Sequence, residues 1–491
     1  MNLNHINVIA RYEVKLVKRS WLFRIFAILA LLFISAIMLG YQTGIVNRMD
    51  NLWPRIAVSS LMPFCNTYFY NIAQSVIVVF LAGSFLKRDK KLDTAEVIYV
   101  RPMSNADYIV GKTWGIVKVF ITLNIITLLF TAFLNILINK SPFDLFPYLF
   151  YLLTISVPSL LFVLGLSFTA MCILKNQAVT FIVMLGIIGT VFFYLTDTLY
   201  GVFDFFGVNI PAIFSDVTGH ADLRLFLLQR FSYLLAGIGL ISMTIALVKR
   251  LPHKPWKIAV VYTFSSLFLL AACLGGLLYI LHYNHQLDLR HQYIMTFDKY
   301  ADVPHVDLLV NDISVTPQGY RLAGKSTVKV ANNNAKPLDK IIFYLNPELT
   351  VTSVEMAGKN LLFRRDHQVI EVDQPIQQQE ELTLTINYEG KISENICYTD
   401  VLTEDYLDTK VPQVFWRFGK RYAWLSNTFT LLTPECIWYP VTIAPVNPGA
   451  PYNVRKNFTD YTLTVHYEGD KTVLSQGKSK IDGSVITFTN A

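Results

Sequence analysis

Residues 115–138 read GIVKVFITLNIITLLFTAFLNILI, an apolar run whose single charged side chain is Lys118. The hydrocarbon core of a bilayer is about 30 Å thick and requires roughly 20 apolar residues in a helix. The run therefore predicts a membrane-spanning helix. Lys118 lies near one end, where its long side chain can reach the membrane interface.

Six further runs of this kind lie at 21–41, 67–86, 147–172, 178–196, 229–248 and 258–282. Charged residues make up 16% of the 491-residue chain and hydrophobic residues 53%, whereas soluble domains contain about 25% charged residues. The composition and the runs together predict an α-helical multi-pass membrane domain with about seven spans.

The pattern changes near residue 283. Segments such as ELTLTINYEG (381–390) and DYTLTVHYEG (460–469) alternate apolar and polar side chains, which is typical of half-buried antiparallel strands. We therefore expect an all-β domain, a sandwich or a saddle, over 305–491, joined to the membrane domain by a linker over 283–304.

Basic residues indicate the orientation in the membrane. The loops around 11–19, 87–112, 175 and 249–257 are rich in Lys and Arg, and the opposite loops contain few. Because basic loops stay cytoplasmic, seven spans place the N-terminus inside and the β domain outside a plasma membrane. An even number of spans would place the β domain inside, and 178–196 is the shortest run.

We find no Asp, Glu, His or Lys at mid-membrane depth in these runs. Ion-coupled carriers usually need such residues, so the pattern favours an export path that is powered from elsewhere, or a plain anchor. An apolar path without selective polar residues does not indicate a cargo.

The second cytoplasmic loop reads FLKRDKKLDTAEVIYVRPMSNADYIVGKTWG (85–115). Proline after Arg101 breaks a short amphipathic helix, and Ser104 with Asp107 has the pattern of a capping box that begins the next helix. Such a rigid element could transmit motion from a cytoplasmic partner, but a basic loop that merely sets topology would look similar.

This loop resembles the signature of ABC type 2 exporter permeases, which runs basic, acidic, T-x-E, apolar, R-P-x-S, apolar, G-K. The matching residues are Lys87, Arg88, Thr94, Glu96, Arg101, Pro102, Ser104, Gly111 and Lys112. All of them except Gly111, together with Asp107, form the set of nine candidate residues for ATPase coupling.

The resemblance implies a six-span permease domain over 21–248, with 258–282 as an added seventh span. It also implies an amphipathic helix over 1–20 on the inner leaflet, with Ile6, Ile9, Val14 and Val17 on one side. The implied partners are a separate cytoplasmic ATPase subunit that binds ATP, and a second permease in a homodimer or a paired dimer.

The outer half resembles the N-terminal β domain of aminopeptidase-N-type zinc peptidases. Strand patterns at Gly324–Val330, Leu338–Leu345, Val351–Gly358 and Leu382–Gly390 follow the order of that domain. The zinc-binding H-E-x-x-H pattern of that family does not occur among the nine His. We therefore assign no catalytic residue, metal ligand or cofactor to residues 1–491, and leave open whether the full-length product is an enzyme. We expect the β domain to continue past residue 491, and zinc only if a catalytic domain follows.

The string GYRLAGKST (319–327) fits the phosphate-binding loop of ATPases letter for letter. Such a loop needs a helix after it, but TVKVANNN alternates like a strand and ends in a turn. The string therefore predicts a β-hairpin in which Gly324 permits a turn or a close strand approach.

Two further features complete the prediction. Cys397 and Cys436 both lie in the outer half and could form a disulfide in an oxidising compartment. The basic residues lie at membrane edges, where anionic lipid is the ordinary partner, and they do not suggest nucleic-acid binding.

Three hypotheses remain. The first is an ABC exporter permease with a fused outer domain. The second is a membrane-anchored zinc aminopeptidase whose catalytic domain is absent from this chain, and the third is a structural or interaction protein. The 85–115 segment favours the first.

Overall fold

The computed structural model describes residues 2–42, 60–88, 103–138, 143–215, 218–248, 255–401, 403, 421–446, 458–467, 469 and 471–490. The described residues up to Tyr283 form one compact unit, and those from Asn284 onward form a second. The first unit is helical and the second is built on β-sheets.

The α-helices within these ranges are α1 (Leu3–Arg19), α2 (Trp21–Gln42), α3 (Leu61–Arg88), α4 (Asn105–Ile138), α5 (Phe146–Tyr151), α6 (Val157–Leu174), α7 (Gln177–Thr190), α8 (Leu223–Leu247) and α9 (Pro255–Tyr300). A π-helical turn, Leu152–Ser156, joins α5 to α6, and another, Val191–Leu195, extends α7.

Seven helical segments in the described part of the chain are long and apolar enough to cross a membrane, and they coincide with the seven predicted runs. Two of them extend well beyond the apolar residues. Helix α4 begins ahead of its run, at Asn105, and α9 continues past its run to Tyr300.

The interior of the helical unit contains a row of hydrogen-bonded amides and hydroxyls. The Asn66 amide donates to the Thr131 hydroxyl at 2.6 Å, and the Asn124 amide donates to the Ser156 hydroxyl at 2.6 Å. The Asn71 amide donates to the Phe206 carbonyl at 2.9 Å. These side chains are uncharged, so the scarcity of ionisable residues in the apolar runs did not reveal them. Such bonds hold helices together where no water competes for them.

The second unit contains strands β3 to β15. They are β3 (Asp307–Gln318), β4 (Arg321–Ala331), β5 (Ile341–Tyr344), β6 (Leu349–Met356), β7 (Lys359–Asn360), β8 (Phe363–Asp366), β9 (Val369–Val372), β10 (Glu381–Gly390), β11 (Ala423–Leu425), β12 (Thr430–Leu432), β13 (Asp460–His466), β14 (Lys478–Asp482) and β15 (Val485–Asn490). Two very short strands, β1 (Phe214–Ser215) and β2 (Gly219–His220), pair in the first unit.

The main sheet has eight strands in the order β14-β15-β13-β3-β4-β10-β6-β7. The prediction of antiparallel strands is wrong for one pair, because β13 and β3 run parallel. These strands are far apart in the sequence, so no short turn fixes their direction, and the sheet is mixed. A second sheet has the order β5-β9-β8, and its Phe343 and Ile370 share one core with the main sheet.

The string GYRLAGKST lies in the hairpin of β3 and β4, as predicted. Gln318 pairs with Arg321, so Gly319 and Tyr320 form the turn, and Gly319 has a φ of 59°. Gly324 lies within β4, where a Cβ atom would come 2.3 Å from the Tyr388 ring of β10. The glycine therefore makes room for a buried tyrosine and takes no part in a phosphate loop.

The predicted linker over 283–304 is helical for most of its length, because α9 continues to Tyr300. Tyr293 and Tyr300 are buried against Tyr344 and Val369 of the smaller sheet. Apolar side chains recur at helical spacing in this segment, and the polar residues between them concealed that period from the sequence analysis.

Candidate coupling site at the start of helix α4

The structure describes three of the nine predicted coupling residues completely: Ser104, Asp107 and Lys112. Thr94, Glu96, Arg101 and Pro102 lie outside the described residues. Helix α3 includes Lys87 and Arg88, but their side chains are also outside the described part.

Ser104 and Asp107 form the predicted capping box at the start of α4. The Asp107 backbone N–H donates to the Ser104 hydroxyl at 3.0 Å, and the Ser104 backbone N–H donates to the Asp107 carboxylate at 3.1 Å. These reciprocal bonds satisfy two backbone donors that a helix start leaves unpaired. The first turn of α4, which follows residues 85–102 in the sequence, is thereby fixed.

Asp107 has a second partner, which the sequence did not indicate. Its other carboxylate oxygen accepts a hydrogen bond from the Asn2 backbone N–H at 2.8 Å, and His5 Nδ1 lies 3.8 Å from the carboxylate. The carboxylate therefore joins the first residues of the chain to the start of α4.

Lys112 forms a buried ion pair with α1. Its Nζ lies 3.0 Å from Glu13 Oε1, and each side chain is 2% exposed. Lys112 Nζ also lies 5.0 Å from the Tyr108 ring centroid, a cation–π distance. The lysine of the G-K motif is thus enclosed within the protein.

Two glycines on α4 let the two helices approach closely. A Cβ atom at Gly111 would lie 2.8 Å from Ile9 Cβ, and one at Gly115 would lie 2.6 Å from Glu13 Cβ. Neither side chain could be added without moving the helices apart. The Glu13–Lys112 pair is therefore closed off between two backbones in near contact.

The face that α1 buries includes the predicted apolar side, since Ile6 and Val17 are buried and Ile9 and Val14 are half-buried. Ile6, Ala10, Glu13 and Val17 are buried, and this stripe packs against α4, whereas we expected the apolar side to contact lipid. The physical reason is the glycine pair on α4, which provides a protein surface for that stripe. The opposite side of α1 exposes basic residues: Arg11, Lys15, Lys18 and Arg19.

A second buried charge cluster involves Arg230, in the N-terminal half of α8. The Asp204 carboxylate accepts backbone N–H bonds from Phe206, Gly207 and Asn209 at 3.0, 3.1 and 2.5 Å. Arg230, 1% exposed, donates from Nη2 to the Asp204 carbonyl at 2.5 Å. Arg230 lies at the start of the predicted run 229–248, and nothing in the sequence pattern singled out Asp204 as its neighbour. A single acid in the apolar loop 198–214 was the available signal.

The structure brings the predicted cysteine pair together in the second unit. The Cys397 and Cys436 sulfurs lie 3.4 Å apart as free thiols, and both residues are buried. Elsewhere in the described residues, no group of three His, Cys, Asp or Glu side chains is arranged to hold a metal ion. The described residues therefore do not fit a zinc site.

No protein-family model matches the chain, and no curated protein matches its sequence. Among solved structures, the M1 zinc metallopeptidase from Deinococcus radiodurans is 18% identical, with a TM-score of 0.27 over 38% of each chain. The native yeast LTA4 hydrolase is 13% identical, with a TM-score of 0.23 over 38% of this chain and 26% of its own. This chain therefore matches well under half of these M1 aminopeptidase-type structures, a partial likeness that does not assign a family.

Proposed function

We propose that the chain is the permease subunit of an ABC-type exporter that works with a separate cytoplasmic ATPase and carries a peptidase-like β domain of sandwich or saddle type outside the membrane. The observation that carries the proposal is the clamp of α1 onto the first turns of α4. The α4 residues of this clamp are Asp107, Gly111, Lys112 and Gly115, and they belong to the 85–115 segment that resembles the permease signature.

The contacts of the clamp explain how a push from a partner would be passed on. The Ser104–Asp107 box fixes the first turn of α4. The buried Glu13–Lys112 pair joins α4 to α1. The two helices therefore move together. Helix α4 continues to Ile138 and, at 1.5 Å per residue, would carry that movement roughly 50 Å.

The proposed membrane placement follows from charge and length. The seven apolar helical segments would be the spans, and the basic loops would face the cytoplasm. The clamp would then lie at the inner surface of a plasma membrane, with the β domain outside. A second permease, as a homodimer or a paired subunit, and the lipid bilayer are the other proposed partners.

Burial separates the residues of the 85–115 segment that would hold it together from those that would contact the ATPase. Lys112 and Asp107 are enclosed by α1, so they would hold the element together. Contact with the ATPase would fall to the part of the motif that lies before Ser104, above all Glu96 and Arg101. No cargo is proposed, because the buried amides already bond to partners within the protein.

Co-purification tests the proposal. The full chain, expressed with a candidate ATPase from the same genome, should retain that ATPase and raise its hydrolysis rate in lipid. Glu96→Lys and Arg101→Glu should each abolish the stimulation while leaving the amount of permease unchanged.

Arg321→Glu is the matched control, because this exposed arginine of β4 lies in the second unit, and its stimulation should equal that of the native chain. A chain that recruits no ATPase, or charge reversals at 96 and 101 that leave stimulation intact, would refute the permease proposal.

A further inference from the structure

Cys397 and Cys436 are placed for reaction with each other. The first follows the 3-10 turn Glu394–Ile396, and the second ends the 3-10 turn Pro434–Cys436. Their sulfurs lie 3.4 Å apart, and a disulfide bond requires an approach of roughly another 1.4 Å. Both side chains are fully buried, so the two thiols contact each other away from solvent.

Side chains from elsewhere in the second unit hold both turns in position. The Asn346 amide donates to the Cys436 carbonyl at 2.7 Å and to the Ser393 carbonyl at 2.9 Å, and so bridges the two turns. Arg290 donates to the Cys397 carbonyl at 2.8 Å. The backbones of both cysteines are therefore fixed independently of any bond between the sulfurs.

The other three cysteines have a different setting. Cys65, Cys172 and Cys273 lie on α3, α6 and α9 in the helical unit. The contact between their sulfurs distinguishes Cys397 and Cys436 from these three cysteines.

We propose that Cys397 and Cys436 are oxidised to a disulfide in the mature protein, which makes the pair a covalent modification site. The proposal rests on the proposed function in one respect, the location of the second unit outside the reducing cytoplasm.

The reactant is a disulfide donor, such as a thiol oxidase of that compartment. The thiolate of one cysteine attacks the donor disulfide, a mixed disulfide forms, and one donor sulfur leaves as a thiol. The second cysteine then attacks the mixed disulfide, closes the Cys397–Cys436 bond and releases the other donor sulfur. The cysteines lose two electrons and two protons, and the donor gains both.

This thiol–disulfide exchange takes place while the second unit folds. In the folded state the hydrogen bond with Cys397, together with burial, raises the pKa of the Cys436 thiol, so the attacking thiolate is scarce. A donor enzyme also cannot reach sulfurs that are fully buried. Once formed, the bond links the 394–397 turn to the 434–436 turn. The Glu394 carboxylate of the first turn also accepts the Tyr422 and Ala423 N–H groups at 2.6 and 3.0 Å.

Counting thiols in the full chain tests the proposal. The protein is expressed in a host with an oxidising extracytoplasmic compartment, denatured in detergent, and labelled with polyethylene-glycol maleimide before and after reduction. Of the five cysteines, three should label before reduction and all five after it. Five labels before reduction would overturn the proposal.

Two variants identify the partners. Cys436→Ser should give four labels both before and after reduction, because Cys397 is released. The control Cys273→Ser should give two labels before reduction and four after it. The native count requires no variant, so a variant that fails to fold leaves the test intact.

The outcome is independent of the permease test. Five labels with a retained ATPase would overturn the disulfide alone, whereas three labels without ATPase recruitment would overturn the permease proposal alone.

Discussion

Two buried charge clusters in the described part of the helical unit are built in opposite ways. Glu13 and Lys112 pair side chain to side chain between helices that begin about a hundred residues apart in the sequence. Asp204 and Arg230 instead use the backbone, because the carboxylate accepts N–H groups of its own loop and the guanidinium donates to the Asp204 carbonyl. The first arrangement joins two elements, and the second gives one loop its shape.

Their positions sharpen the contrast. The Asn105 amide donates to the Val248 carbonyl at 2.7 Å, so the C-terminal end of α8 lies beside the start of α4. Arg230 lies 18 residues before Val248, or roughly 27 Å along the helix axis. The two clusters therefore lie near opposite ends of the helical unit, and only the Glu13–Lys112 cluster adjoins the candidate coupling segment.

The largest expected effect comes from breaking the Glu13–Lys112 pair. Lys112→Met leaves Glu13 buried without its cation, which should cost about 3–5 kcal/mol of folding stability. Glu13→Leu combined with Lys112→Met should recover most of this loss, since a well-packed apolar pair can replace a buried ion pair. Denaturation of the single and double variants in detergent measures both. If the folding stability of Lys112→Met is within about 1 kcal/mol of that of the native protein, the ion pair is hydrated and not buried.

The second prediction concerns the Asp204 loop. Asp204→Asn removes the charged carboxylate that accepts three backbone N–H groups, and should cost about 2–3 kcal/mol of folding stability. Because the bonds are local, the change should make residues 196–222 sensitive to protease and leave the N-terminal helix protected. Asp312→Asn, an exposed carboxylate of β3, is the control. Equal protease sensitivity at α1 would show that the two clusters are coupled.

The third prediction tests the close approach of α1 and α4. Gly115→Ala places a methyl group 2.6 Å from Glu13 Cβ and should cost about 1–3 kcal/mol. Gly186→Ala is the matched helical control, because no atom lies within 4 Å of a Cβ there. It should be neutral or stabilise by up to about 1 kcal/mol. Equal melting temperatures for the two variants would contradict the tight contact.

The smallest effect is expected from an exposed pair, which gives the scale for the buried ones. Lys299 Nζ lies 2.6 Å from Asp366 Oδ2, and the lysine is 57% exposed. Lys299→Met should therefore cost no more than about 1 kcal/mol at neutral pH, as judged by the melting temperature.

This pair also predicts a pH dependence with a definite sign. The Lys299 hydrogen bond holds the pKa of Asp366 below its usual value. The stabilisation is then present above the unfolded pKa of about 4 and is lost as the pH falls through the lower folded pKa. The native chain and Lys299→Met should therefore converge in stability in acid. A difference that persists at pH 2 would contradict this origin.

Local patterns were readable from the sequence because they depend on near neighbours. The seven apolar segments, the Ser104–Asp107 box and the β3–β4 hairpin each follow from residues within one element or one turn. The helical end of α9 was missed, although its apolar residues repeat at helical spacing, because polar residues interrupt them.

The long-range features could not be read in this way. Glu13 looks like an ordinary charged residue of an amphipathic helix until α4 closes over it. Asp204 resembles a loop acid until its own backbone folds around the carboxylate. The parallel pairing of β13 with β3 likewise joins strands about 150 residues apart.

The sequence by itself determined which segments are apolar helices and which are strands, since hydrophobic period and chain length decide those states. Only the tertiary structure decided which charges are buried, that α4 covers the apolar face of α1, and that the sulfurs of the predicted cysteine pair lie in contact. The reason is that burial and pairing are properties of packed neighbours, and the neighbours of Glu13, Asp204 and Cys397 lie where chain topology, and not sequence order, places them.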